Sequence, residues 1–433
     1  MADLLDLPVE LLEEIFLIAL TSPGNFTNLS LVCRAFRARA YDVVLQTPLR
    51  FRNQLHLLKW LEGRPQGDLK KVKEVKIHVQ DVDFRILLES DEVFDQDSHS
   101  PRLLTGTLYD AELDTYKQVF KKLPNLRLLT LYALTGQQTD LYCAFLSRLL
   151  EDLNSMCPNL EHLCLEGIGH NQNLGFLNHL RLLKSFSFDG FSSMSPTETA
   201  SILASLEKLR SLSIVSQQEK ELPSAYYRSE YIGKPEFLSH IMDNFTQLTS
   251  FSAVERVVPH GSTIIFTPEI LNSLSNLKSL KALSITLGHT PDDKILSSLQ
   301  DFLAKSTIKE LELDWPDLES EVFEKYDVLQ EGLEELRVRA RSAIDAFNIL
   351  WFIYESRKKS WLKELQFVVL IRATVEYGEE GRVLREDSGV EQTQVKVYLD
   401  GPTVDAIDED NIYRTKRLLR SIGVHVAWHT ENL

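Results

Sequence analysis

The chain has 433 residues and a net charge of −16, with 47 Lys and Arg against 63 Asp and Glu. That balance argues against a nucleic-acid partner, which calls for a basic face, and against an anionic membrane surface. The length exceeds what one compact core usually takes, so a barrel, several domains or a repeat array is expected.

The N-terminus opens with "LPVELLEEIFLIAL", residues 7 to 20. It is too short and too charged for a membrane span, which needs about 20 apolar residues. It also lacks the basic start of a secretory signal, since the first 33 residues hold no Lys or Arg. Leu11, Leu12, Ile15, Phe16 and Ala19 repeat at three and four, and Pro8 suits a first helical position. "TSPGN" reads as a turn. Leu29, Val32, Cys33 and Phe36 then form a second helical stripe, and a third short helix is predicted from Arg37 to Leu45. Three helices in so few residues are too small to be stable alone and must lean on a neighbour or a partner.

Leu7-Pro8-x-Glu10-Leu11 with Ile15-Phe16, followed by Leu31-Val32-Cys33-Arg34-x-Phe36, resembles an F-box. The gap between the two motifs is about two residues longer than usual, and Phe36 stands where many members carry Trp. The resemblance implies a module, residues 1–50, that docks on a Skp-type adaptor and through it on a cullin–RING ubiquitin ligase. Leu7, Pro8, Leu11, Ile15, Leu29, Val32 and Cys33 would then face the adaptor or support that face. Ile15, Val32 and Phe36 serve equally well as core of the module.

Further along, one phrase recurs: apolar, two residues, apolar, one residue, apolar. Ten copies run from Val72-Val75-Ile77 to Leu362-Leu365-Phe367, at steps of 23 to 54 residues. The last two positions of each copy are two apart, which is strand alternation. Helical stretches lie between copies. In "SPTETASILASLEKL", Ser195 is the expected N-cap, Pro196 the first helical residue and Glu198 the partner in a capping box. "TPDDKILSSLQDFL" repeats that logic with Thr290, Pro291 and Asp293, and "SAIDAFNILWFIYE" offers a stripe of Ile344, Phe347, Trp351 and Tyr354. A strand–helix unit cannot bury its apolar side alone, and stacking neighbours into a curved solenoid solves this.

Residues 70 to 370 resemble the leucine-rich repeat family, in divergent form. The family's Asn or Cys, three residues past the last strand leucine, is missing from most copies, with Leu134 and Ile168 in that place in two of them. The expected fold class is an α/β repeat: the F-box helices, then a leucine-rich-repeat-like solenoid over 51–433. Residues 376–433, with the strand-like "QVKVYLD" and "GVHVAW", could close it as a C-terminal cap.

Parity along each strand assigns the outward residues. Early copies expose Leu128, Thr130 and Tyr132, then His162, Cys164 and Glu166. Middle copies expose Ser185, Ser187 and Asp189, then further Ser, Ala, Val and Thr. Late copies expose Glu310, Glu312 and Asp314, then Glu335, Arg337 and Arg339, then Glu364, Gln366 and Val368. A substrate segment is expected to cross the small middle strands and to place a basic group near Glu310, Glu312 and Asp314. Tyr132, Asp189, Arg337 and Arg339 complete the candidate substrate contacts on the strands. Tyr226, Tyr227 and Tyr231 add another set, from the long insertion at 216–235, since tyrosines suit contact surfaces. Two further insertions, 81–97 and 376–393, are charged.

No metal site is expected, because His162, Cys164 and Glu166 on one strand converge poorly for tetrahedral coordination. No cofactor is expected either, for neither a dinucleotide glycine motif nor a phosphate loop occurs. G-x-S-x-G and H-E-x-x-H are absent as well, so no catalytic residue is assigned. Four cysteines make no disulfide framework, and the expected compartment is cytoplasm or nucleus. The expected function is that of a non-catalytic substrate receptor in a Skp–cullin–F-box type ligase. The alternative is a leucine-rich-repeat scaffold or inhibitor acting without ubiquitin transfer.

Overall fold

The computed structural model describes residues 31–79, 102–133, 140–168, 172–189, 192–216, 245–255, 265–316, 320–340, 343–372 and 406–430, with 11–12, 15–16, 239, 242–243 and 318. The chain divides into two compact units, Met1–Ile168 with Gly175–Lys184, and Gly169–Leu174 with Ser185–Leu433.

The first unit holds strands β1 (Leu49–Phe51), β2 (Glu74–His78), β3 (Leu128–Tyr132) and β4 (His162–Glu166), parallel and in chain order. Its described helices are α1 (Arg34–Gln46), α2 (Gln54–Leu61), α3 (Gln66–Leu69), α4 (Arg102–Lys121) and α5 (Asp140–Met156). The second unit holds β5 (Ser185–Phe188), β6 (Ser211–Ser216), β7 (Ser250–Glu255), β8 (Ala282–Leu287), β9 (Glu310–Asp314), β10 (Glu335–Arg339), β11 (Phe367–Arg372) and β12 (His425–Thr430), again parallel and in chain order. Its helices are α6 (Pro196–Ser205), α7 (Pro268–Leu274), α8 (Asp293–Lys305), α9 (Ser320–Tyr326), α10 (Ala343–Lys358) and α11 (Ala406–Ser421). Parallel neighbours require a crossover connection, and the helices supply it. This is the expected α/β repeat.

The second and third positions of the recurring phrase form the core rows. Leu212, Phe251, Leu283, Leu311, Leu336 and Val368 follow one another strand to strand in register. Each is at most 1% exposed. Burying a side chain of this size is worth about 1.5–3 kcal/mol, so these rows stabilise the array and fix its register together.

That register corrects the last copy of the phrase. Val368 and Leu370 pair with Leu336 and Val338 and are buried, while Phe367 is 47% exposed. The phrase therefore reads Leu365-Val368-Leu370, three residues later than expected, and Val368 faces inward. "FVVLI" is apolar at both parities, so only pairing with β10 could choose. Two strands escaped the pattern altogether. In β1, Leu49 and Phe51 pair with Val75 and Ile77, but the leading position is Gln46. In β12, Val426 pairs with Val368, and the leading position is Gly423, at φ +82. A boundary between residues 50 and 51 runs through β1. "QVKVYLD" lies outside the described residues.

The helix starts follow capping chemistry. Ser195 accepts from the Glu198 backbone N–H, and the Glu198 carboxylate answers the Ser195 N–H, the expected capping box. In α8 the cap is Asp292, whose Oδ1 accepts from Ile295 N at 2.8 Å. Thr290, expected there, instead donates to the Pro316 carbonyl. At the N-terminus, Cys33 is extended and caps α1, so the stripe from Leu29 to Phe36 is not one helix. A spacing of three and four survives such a break, which is why the sequence hides it. In α10 the buried stripe is Ala346, Ile349, Leu350 and Ile353, not the expected Ile344, Phe347, Trp351 and Tyr354. Both faces of this helix are apolar, and periodicity alone cannot rank them.

No described helix is long and apolar enough to cross a membrane.

Candidate functional site

Two surfaces are candidates, one in each unit. The first is at the N-terminus. Leu12, Phe16, Ala40 and Val43 pack into a small core, with Phe36 against it. Phe16 and Phe36 meet edge to face, ring centroids 5.3 Å apart. Helix α1 is tied to the following chain by Lys71 Nζ on Asp42 Oδ1 at 2.6 Å and by Arg64, which reaches the Tyr41 hydroxyl and stacks on Trp60. The other apolar side chains of this segment are left outside. Leu11 is 48% exposed, Ile15 41%, Leu31 71% and Val32 63%. Leu11 and Ile15 are four apart and share a helix face. Periodicity grouped Leu11, Leu12, Ile15 and Phe16 together, whereas the fold sends Leu12 and Phe16 inward and the other two out. Cys33 is exposed, and Leu7, Pro8 and Leu29 lie outside the described residues.

The second surface is the outward side of the strands in the second unit. Register turns its residues into rows. Ser187, Ser213, Ser252 and Ser284 follow in line, as do Ser185, Ser211, Ser250 and Ala282. All eight are half-buried. With strands about 4.8 Å apart, four in a row span roughly 14 Å of small side chains. Each row then runs into charge: Ser284 neighbours Glu312, which neighbours Arg337, and Ala282 neighbours Glu310, which neighbours Glu335. Asp189, just past β5, is half-buried.

The charged end differs from the open acidic patch that parity suggests. Asp314 and Arg339 are not exposed. They are 1% and 7% exposed and bonded to each other, Arg339 Nε donating to Asp314 Oδ1. Arg337 donates to Glu335 Oε1 at 2.7 Å. Burial works against the charge on Arg337. The Glu335 bond and the charges of Glu335, Glu312 and Glu310 outweigh it, and the guanidinium pKa is raised. The basic group expected from a substrate is thus already present on the neighbouring strand. Glu310 stays exposed and Glu312 half-buried. Tyr226, Tyr227 and Tyr231 lie outside the described residues.

In the first unit, Tyr132 is part of a cluster that sequence reasoning missed. Its ring stacks on His78 at 4.9 Å, and Lys76 Nζ lies 5.3 Å from its centroid. Lys76 also bonds Glu166 Oε1 at 2.8 Å, and Cys164 Sγ lies 3.8 Å from the same oxygen. Burial lowers the His78 pKa, against a hydrogen bond that the imidazole donates to the Arg52 backbone and that raises it. Burial likewise lowers that of His162. The signal was available: parity applied to Val72-Val75-Ile77 puts Lys76 and His78 outward. Thr130, assigned outward, is buried at 7% exposure. Among the described residues no group of three or more His, Cys, Asp or Glu could hold a metal ion. The four cysteines are free thiols, and burial pushes Cys157 up to about 12, which makes it unreactive.

No family model matches the chain, and no curated protein does. Among solved structures, it is similar to a chain of the glycosylated Toll–Spatzle complex, described as a molecular hub in Drosophila development and innate immunity. The likeness is at 14% identity and a TM-score of 0.27, over 75% of this chain and 40% of that one. The chain therefore spans about two fifths of the length of that protein. A TM-score so low carries no argument about function.

Proposed function

We propose that this chain is the substrate-receptor subunit of a Skp–cullin–F-box type ubiquitin ligase and performs no chemistry itself. The observation that carries this reading is the split of the N-terminal apolar residues. Leu12 and Phe16 complete the small core, while Leu11, Ile15, Leu31 and Val32 stand in water at positions of the F-box motifs. Exposed apolar side chains on a segment with its own core suit a partner surface. The adaptor would cover them, and the outward strand face of the second unit would meet a protein substrate. Small side chains there let another chain approach closely, with Asp189, Glu310, Glu312 and Arg337 at its margins. The proposal places the protein inside the cell, with no cofactor, metal or nucleic acid.

The test is a co-expression pull-down of the full chain with a Skp-type adaptor. The intact chain should retain the adaptor and, with it, a cullin. Ile15→Asp with Val32→Asp should abolish retention, since truncating or charging an interface anchor costs about 2–4 kcal/mol. A folded intact chain that retains no adaptor would overturn the proposal. Adaptor without cullin would favour the scaffold or inhibitor reading.

A further inference from the structure

The aromatic face of α10 that packing leaves outside is the starting point. Trp351 on this face is 43% exposed; it stacks with Phe347 at 6.2 Å, and the Tyr354 ring lies tilted against it, centroids 5.5 Å apart. It borders a cleft of about 440 Å³ between α9, α10 and the turn that follows α10. Phe323, Phe352 and Trp361 also line this cleft. Phe352 and Trp361 stand nearly perpendicular, 82° between ring planes and 6.5 Å between centroids, and so make two walls of a corner. Three carboxylates, Glu324, Asp327 and Glu355, share the lining with a single cation, Lys359. No ion pair to any of the three occurs among the described residues.

The backbone around the cleft is unusual too. Asp327 (φ 46), Ser360 (φ 65) and Leu362 (φ 53) have positive φ, and no other described non-glycine residue does. Asp327 lines the cleft, and Ser360 and Leu362 flank Trp361. A leucine in that region is held there only by its surroundings. Here Arg357 donates to the Leu362 carbonyl and fixes the turn that carries Trp361.

We propose that this cleft binds the guanidinium of an arginine side chain presented by a partner polypeptide. Excess negative charge selects a cation, and aromatic walls select one with a face that can stack. Guanidinium is planar and weakly hydrated, and it bonds carboxylates through a fixed fork. A quaternary ammonium would use the rings and leave the carboxylates without donors. An ammonium would bond the carboxylates but stack poorly. The volume lies within the roughly 300–1,000 Å³ of ordinary ligand pockets and leaves room for the arginine stem. This inference does not rest on the ubiquitin-ligase reading and concerns a different surface.

The experiment is ligand-observed NMR on the full chain with acetyl-Gly-Arg-Gly-amide. The matching citrulline and lysine peptides and choline are the comparisons. Saturable binding of the arginine peptide is expected, with none by the neutral citrulline peptide. Asp327→Asn with Glu355→Gln should weaken it at least tenfold at unchanged melting temperature. Should that double variant unfold, Trp351→Ala carries the same expectation from an exposed position. Equal binding of the citrulline peptide, or variants as tight as the parent chain, would overturn the site. Lysine or choline binding as tightly as arginine would overturn the assignment of guanidinium.

Discussion

Strands β5 to β8 and strands β9 to β10 share one fold and one register, yet their outward faces have opposite characters. The first group presents serine in consecutive rows, half-buried and uncharged. The second carries glutamate and arginine at the continuation of the same rows. Inward, the two groups are alike: Leu212, Phe251, Leu283, Leu311 and Leu336 are all buried. The inward positions hold the array together, and the outward ones are free to differ. At β9 and β10, however, part of the outward chemistry has become structural, because Asp314 and Arg339 are buried against each other.

The largest effect should come from breaking that pair. Arg339→Met leaves Asp314 buried without its partner, and chemical denaturation should show a loss of about 3–5 kcal/mol. Adding Asp314→Leu should restore most of it, since an apolar pair of similar volume no longer desolvates a charge. If the single variant is as stable as the parent, the pair belongs to the solvated face after all.

Acid should act next, at the junction of the two groups. His289 follows β8, with a buried Nδ1 that has no hydrogen-bond partner. Burial lowers its pKa, and the nearby Asp292 charge only partly opposes this. The folded state therefore binds a proton less readily than the unfolded chain, whose histidine titrates near 6.5. Stability from this residue is complete above that pH and is lost as pH falls through the lower, folded value. Melting temperatures at pH 7 and pH 5.5 should differ less in His289→Gln than in the parent.

The smallest effect belongs to the serine rows. Ser213→Ala or Ser252→Ala should change stability by less than about 0.5 kcal/mol, because outward positions away from special contacts tolerate substitution. A loss above 1 kcal/mol in a denaturation experiment would show that these rows are part of the packing.

The candidate surfaces were legible to different degrees. The serine rows followed from parity, because strand alternation has one answer when only one parity is apolar, as in "SLSIVS". The positions that resemble an F-box could be quoted from the sequence, but not sorted, since Leu11, Leu12, Ile15 and Phe16 are equally apolar. The arginine cleft was invisible, because Ile344, Phe347, Trp351 and Tyr354 fit a buried stripe as well as an exposed one.

By itself, then, the sequence determined the α/β repeat, nine of the inward strand phrases and the capping box at Ser195. These depend on local periodicity and on residues a few positions apart. Tertiary structure decided the register of β11, the membership of β1 and β12, and the buried face of α10. It also decided the inward turn of Asp314 and Arg339. Each of these rests on what the neighbouring strand or helix offers, and no property of the segment's own residues contains that information.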